Sequence, residues 1–295
     1  MAESTKRYAV VTGANRGIGL GVVKRLASEG IIVVLTARDE TKGLEAVEKL
    51  KEFGHNIVFH QLDVTDPASV SSLADFIKSQ FGKLDILVNN AAAGGVKYLG
   101  DPMKSKVPTE TPEMWEINWS LVLETYELAE ECIDTNYYGP KRMIEELIPL
   151  LQLSDLPRIV NVSSIGGKLE YITNKWALEL LNDVETLTEE RVEDVLREFQ
   201  KDFKDGLLEI NGWPVGGSSY KVSKAALNAY TRIMANKYPT FCVNCVCPGA
   251  VKTETSFHPG TRTVEEAAES LVKLALLPKG GPSGLFYTDK GVSTF

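Results

Sequence analysis

Tyr220 and Lys224 stand four residues apart in Ser219-Tyr-Lys-Val-Ser-Lys224, just ahead of an apolar helical run. Residues at i and i+4 project from the same face of a helix, so the phenol and the ammonium are expected side by side. A positive charge near a phenol favours the phenolate and lowers its pKa. A tyrosine tuned in this way can hand a proton to a carbonyl oxygen, as reduction of a ketone requires. The Tyr-x-x-x-Lys spacing is common by chance, and its meaning depends on what else the chain carries.

A second chemical signal lies near the start. Thr12-Gly-Ala-Asn-Arg-Gly-Ile-Gly19 follows the first strand candidate and opens the first helical pattern. Gly13, Gly17 and Gly19 allow a tight turn. With Asn15, Arg16 and Ile18 between them, they let backbone N–H groups approach a phosphate at a helix N-terminus. The next strand candidate ends Leu35-Thr-Ala-Arg-Asp39. Sheets that bind NAD often place an acid here for the ribose 2′-hydroxyl, but this chain has Ala37 followed by Arg38. Arg38 and Arg16 can grip a 2′-phosphate, each charge-assisted contact contributing roughly 1.5–3 kcal/mol. NADP(H) is therefore the expected cofactor. In the alternative, Arg38 is a solvated loop charge and Asp39 bonds the ribose.

These residues need a scaffold. Strand candidates fall at 8–12, 31–36, 57–61, 85–88, 158–162, 241–246 and 284–287. Helical patterns lie near 17–29, 40–53, 67–81, 124–151, 219–237 and 264–277. Continuous apolar strands alternating with helices indicate an α/β fold, a parallel sheet covered on both faces. Right-handed crossovers make it doubly wound, a Rossmann sheet of seven parallel strands. With no repeats or linkers, 1–295 reads as a single domain. Two stretches break the rhythm. Residues 92–124 carry three prolines with Trp115 and Trp119, and read as a packed lid. Residues 165–218 contain a stripe of Val192, Val195, Leu196, Phe199 and Phe203 at helical spacing, read as core, with Gly206 closing its helix.

The composition, 43% hydrophobic and 24% charged over 295 residues, is that of an ordinary globular protein. A net charge of −8 argues against nucleic acid or an anionic membrane as partner, and no stretch reaches the length of a membrane span. The polar start runs directly into a strand, so no signal peptide is expected. Cys132, Cys242, Cys245 and Cys247 suit reduced cytoplasmic thiols, and the last three read as buried strand residues without the partners a metal site needs.

The motifs occur together in a recognisable order. Asp63-Val64 follows the third strand candidate, Asn89-Asn-Ala91 the fourth and Asn161-Val-Ser-Ser164 the fifth, with Pro248-Gly249, Val251 and Thr253 after the sixth. Across its full length the chain resembles the short-chain dehydrogenase/reductase family. In Glu127-Leu-Ala-Glu-Glu-Cys132, Leu187-Thr-Glu-Glu-Arg191, Asn211-Gly-Trp-Pro214 and Lys224-Ala-Ala-Leu-Asn-Ala-Tyr-Thr-Arg232 it is similar to the plant branch of neomenthol dehydrogenases (menthone reductases) and salutaridine reductases. It also resembles monomeric carbonyl reductases. The resemblance implies that Tyr220 is the general acid, that Lys224 lowers its pKa and bonds the nicotinamide ribose, and that Ser164 (alternatively Ser163) bonds the substrate carbonyl. It implies that Asn136 holds a proton-relay water, that Asp63 and Val64 contact adenine, and that Asn90, Val251 and Thr253 position the rest of the cofactor. The implied function is NADPH-dependent reduction of a hydrophobic ketone of terpenoid or alkaloid type. The alternatives are reduction of an enone double bond at the same site, or an NADP-binding protein without turnover. Two departures from the family stand out. Ala92 replaces the usual glycine, which predicts strain if the backbone there needs a positive φ. The stretch before Tyr220 is long and is expected to cover the face through which relatives dimerise, which predicts a monomer.

Overall fold

The computed structural model describes residues 6–99, 106–108, 115–117, 121–252 and 260–295. Its centre is a sheet whose strands are β1 (Tyr8–Val11), β2 (Ile32–Ala37), β3 (Ile57–Gln61), β4 (Ile86–Asn89), β9 (Arg158–Val162), β10 (Cys242–Val246), β11 (Phe286–Thr288) and β12 (Gly291–Ser293). Four short strands, β5 (Lys97–Tyr98), β6 (Lys106–Pro108), β7 (Trp115–Ile117) and β8 (Val122–Leu123), pair in two small ribbons between β4 and β9. The main sheet has eight strands in the order β12-β11-β10-β9-β4-β1-β2-β3. Seven run parallel, as the sequence predicts. The eighth, β12, is an added antiparallel edge formed by a hairpin that turns at Asp289 and Lys290, with Gly291 (φ 107°) opening the strand. Three residues that begin with glycine carry too little apolar pattern to announce a strand.

Alternation along each strand feeds two cores, because successive side chains point to opposite faces. Ala9, Val11, Val33 and Leu35 pack on one side against Val22, Val23 and Leu26 of α1 (Gly17–Ser28) and Ala268, Leu271 and Val272 of α9 (Val264–Ala275). Val10, Val34 and Leu87 pack on the other side against α3 (Pro67–Phe81), α5 (Gly139–Leu151) and α8 (Ser218–Lys237). On the first face, α2 (Glu40–Glu48) contributes Ala46. Its Gly43 lies flat under a neighbouring ring, where an added Cβ would sit 1.9 Å from Phe59 Cε2.

Helix ends follow local chemistry. Asp66 caps α3 through Ala68 N–H at 3.0 Å, Pro67 occupies the first turn, and Gly82 closes it at φ 74°. Thr263 and Glu266 form a reciprocal capping box on α9. The stretch read as one helix over 124–151 is α4 (Tyr126–Ile133), a π turn at Asp134–Tyr138, and α5. Residues 165–218 form α6 (Lys175–Asn182) and α7 (Glu189–Lys204), which pack onto the second core. Thr188 caps α7 and the turn after it holds Gly206 at φ 69°. The predicted stripe is buried as read, apart from the partly buried Phe203. Sequence does not reveal that Trp213 Nε1 donates to the buried Asp202 carboxylate at 2.7 Å and locks this insertion to itself. The side chains of Trp115 and Trp119, on which the lid reading rests, lie outside the described residues.

Candidate active site

The loop after β1 turns at Gly13 (φ 61°) and Gly17 (φ 55°). A Cβ at Gly13 would come within 2.9 Å of Ala91 Cα, and one at Gly19 within 2.6 Å of Asn90 Nδ2. The glycines therefore let the 12–19 and 89–93 loops pass at backbone distance. Asn90 Nδ2 holds them together by donating to the carbonyls of Thr12 (2.9 Å) and Gly13 (3.0 Å). Arg16 sits at the N-cap of α1 without a side-chain cap bond, which leaves donors of the first turn available to an anion.

A cavity of about 750 Å³ opens at the carboxyl ends of the strands, across the switch point between β1 and β4. Gly13, Asn15, Arg16, Gly17, Ile18, Arg38, Asp63, Val64, Asn90, Ser164, Tyr220 and Lys224 all line it. Arg16 and Arg38 are exposed at one end and neither forms an ion pair with a described residue. Asp39, the alternative ribose ligand, instead caps α2 through Lys42 N–H at 3.0 Å. Asp63 binds the backbone N–H and hydroxyl of Thr65.

At the other end, Ser164 Oγ accepts from Gly166 N at 3.1 Å, while the Ser163 hydroxyl is buried without a partner among the described residues. Lys224 is buried. Its Nζ donates to Val162 O at 2.8 Å and lies 5.7 Å from the centroid of the Tyr220 ring. Burial pushes the Tyr220 phenol up to about 12, against a hydrogen bond from Ser164 that draws it down. Burial likewise presses Lys224 down to about 8, against neighbouring thiols. This reverses the expectation of a lowered tyrosine pKa. Desolvation is the largest cause of the rise, and Tyr220 is a protonated donor at neutral pH.

The Asn136 side chain is fully engaged in the π turn: Oδ1 accepts from Ala93 N (2.9 Å), and Nδ2 donates to Ala93 O (2.9 Å) and Ser223 Oγ (3.1 Å). It ties the 91–95 loop to α8 and is not one of the cavity's lining residues. Val251 is buried in a bridge to Arg262 and is not one of the cavity's lining residues. Thr253 lies outside the described residues. Ala92 carries no strain, because no non-glycine residue among those described has a positive φ. The left-handed position falls at Gly95 (φ 69°). The Val162 carbonyl, which anchors Lys224, was not legible, since a main-chain acceptor has no side-chain signature.

Residues 7–177 match the family model described as short chain dehydrogenase. The chain belongs to the short-chain dehydrogenase family. It is 57% identical to salutaridine reductase of Papaver somniferum, over 98% of this chain and 96% of that one. It is 56% identical to (+)-neomenthol dehydrogenase of Arabidopsis thaliana over the whole of both. A mouse (Mus musculus) protein named carbonyl reductase [NADPH] 3 is 36% identical over 99% of this chain and all of its own. The solved structure of Papaver somniferum salutaridine reductase superposes with a TM-score of 0.89, over 96% of this chain and 99% of that one. The family match at 7–177 spans the glycine loop and the first five parallel strands of the sheet.

Proposed function

We propose that this chain is an NADPH-dependent carbonyl reductase acting on the ketone of a hydrophobic small molecule of terpenoid or alkaloid type. One observation carries the reading. A single cavity holds Tyr220, Ser164 and Lys224 at one end, and a glycine cradle with two arginines that form no ion pair with a described residue at the other. The likeness to reductases named for salutaridine and neomenthol supports the substrate class. So does the apolar wall of Ala91, Ala92, Ala93 and Val96.

The loop at Gly13–Gly19 would hold NADPH, with Arg16 and Arg38 at its 2′-phosphate, and the bound cofactor would supply the hydride. The protein's task is the proton. Tyr220, protonated at neutral pH, donates it to the carbonyl oxygen as negative charge develops there. Ser164 donates a hydrogen bond to the same oxygen and shares the Tyr220 hydroxyl. Lys224, cationic in its majority at pH 7, stabilises the phenolate left behind. Asn136 keeps the 91–95 loop seated against α8, and Asp63 and Val64 would flank the adenine.

Tyr220→Phe tests the assignment. Turnover should fall by at least about 10²-fold, as for other general acids, while NADPH still binds. Full activity in that variant would remove the reading. Product analysis with an enone separates carbonyl from double-bond reduction.

We further propose that residues 1–295 act as one domain and as a monomer in the cytoplasm. Ion pairs of Lys141 with Glu189 (3.3 Å) and of Lys237 with Glu189 (3.1 Å) hold the inserted α7 over α5 and α8. The family resemblance implies that relatives dimerise through the helices bearing Asn136 and Tyr220, which α7 would cover. Sedimentation as a stable dimer at micromolar concentration would contradict the monomer. Among the described residues no helix is long and apolar enough to cross a membrane, and the four buried free thiols suit a reducing compartment.

A further inference from the structure

Helix α8 carries Tyr220 in its first turn, yet it starts without a cap of its own. Its N-cap is Gly217, at φ 61°, and its first turn holds no acidic residue. The leading N–H groups of a helix lack intrahelical partners, and the helix dipole there favours negative charge. Glu124, distant in sequence, supplies both. One carboxylate oxygen accepts from Gly217 N at 2.6 Å, and the other accepts from Ser218 N at 3.2 Å and Ser218 Oγ at 3.0 Å.

Glu124 is also attached to the wall of the cavity. It directly follows β8, which pairs antiparallel with β5 through Tyr98↔Val122 and Lys97↔Leu123. Val96 and Tyr98 line the cavity. Just before β5, Gly95 lies against the same turn of α8, where an added Cβ would meet Ser219 Oγ at 2.3 Å. A shift of the wall strand is thus passed through β8 and the Glu124 carboxylate to the turn bearing Tyr220.

We infer that Glu124 is a positioning residue for Tyr220, fixing the height and rotation of the first turn of α8 and tying it to the substrate side of the cavity. The inference rests on the reading of Tyr220 as proton donor. Its effect is on kcat, because the glycine loop and the arginines hold the cofactor independently of α8's first turn. Glu124→Ala removes all three bonds and should lower kcat roughly 10- to 100-fold, the cost of a misplaced reacting group. Glu124→Gln keeps one carbonyl oxygen for Gly217 N–H but sets an amide against the Ser218 donors, and should fall between wild type and alanine.

The test measures kcat with a ketone substrate, NADPH Kd by fluorescence titration, and thermal melting for all three proteins, with Tyr220→Phe alongside. A graded loss of kcat in the order Glu, Gln, Ala, with NADPH Kd held within about twofold, supports the inference. Wild-type kcat in a folded Glu124→Ala protein overturns it. A loss of kcat matched by an equal loss of NADPH affinity overturns it as well, since that marks general damage. If the alanine variant does not fold, the glutamine variant decides on the same criteria. Tyr220→Phe separates the two levels: its full activity would sink the functional reading, whereas its inactivity beside an undiminished Glu124→Ala sinks only the positioning role.

Discussion

Replacing Lys224 by methionine should abolish reduction and, in the same protein, change how stability depends on pH. Lys224 is 2% exposed, and burial presses its ammonium from 10.5 to about 8. A displacement of that size corresponds to about 3 kcal/mol of destabilisation wherever the lysine is charged. The sign follows from proton counting. Between pH 8 and 10.5 the unfolded chain binds the lysine proton more often than the folded one, so wild-type stability rises with pH across that window. Below pH 8 both states are protonated and the penalty is carried in full. The buried thiols of Cys132, Cys245 and Cys247 and the Tyr220 phenol, all raised by burial, act in the opposite direction from about pH 9 upward, but both proteins carry them, so the comparison is made on the difference between the two. Lys224→Met has no titrating group at this position, and its stability lacks this slope. The loss of the 2.8 Å bond to Val162 O offsets the comparison by a constant below pH 8 and does not create a slope there. The wild type should therefore gain most of about 3 kcal/mol on the variant between pH 7 and 10, about 5 °C in Tm for a chain of this length. The assay is parallel thermal or urea unfolding of both proteins at half-unit steps of pH. A difference that stays flat from pH 7 to 10 would show that the ammonium is solvated in the folded state, and would undo the account of how Lys224 supports Tyr220.

Further outcomes follow from the same geometry. Arg38→Ala should weaken NADPH binding by roughly ten- to a hundredfold and leave NADH binding unchanged, so competitive titration of the two cofactors checks it. The effect should shrink at high ionic strength because Arg38 is exposed. Asp202→Ala strands the indole N–H of Trp213 in a buried site, which should cost about 1–3 kcal/mol in chemical denaturation. An unchanged midpoint would mean that the bond does not form.

The sequence by itself determined the sheet and the two ends of the cavity. The alternation of Ala9, Val10 and Val11 between the two cores, the Gly13–Gly19 turn and the four-residue spacing of Tyr220 and Lys224 are local consequences of backbone period and residue type. Such features need no knowledge of distant neighbours, and each was legible. Tertiary structure alone decided the rest. Asn136 faces the Ala93 backbone because a π turn, which no residue type announces, rotates it there. The tyrosine pKa rises where a neighbouring cation suggested a fall, because desolvation sums over everything packed around the phenol, while the i,i+4 rule sees one partner. Glu124 reaches the start of α8 across two insertions, and only the folded chain brings a carboxylate to amide donors so remote in sequence. Periodicity specifies which face a residue takes; which atoms meet on that face is settled by packing the whole chain.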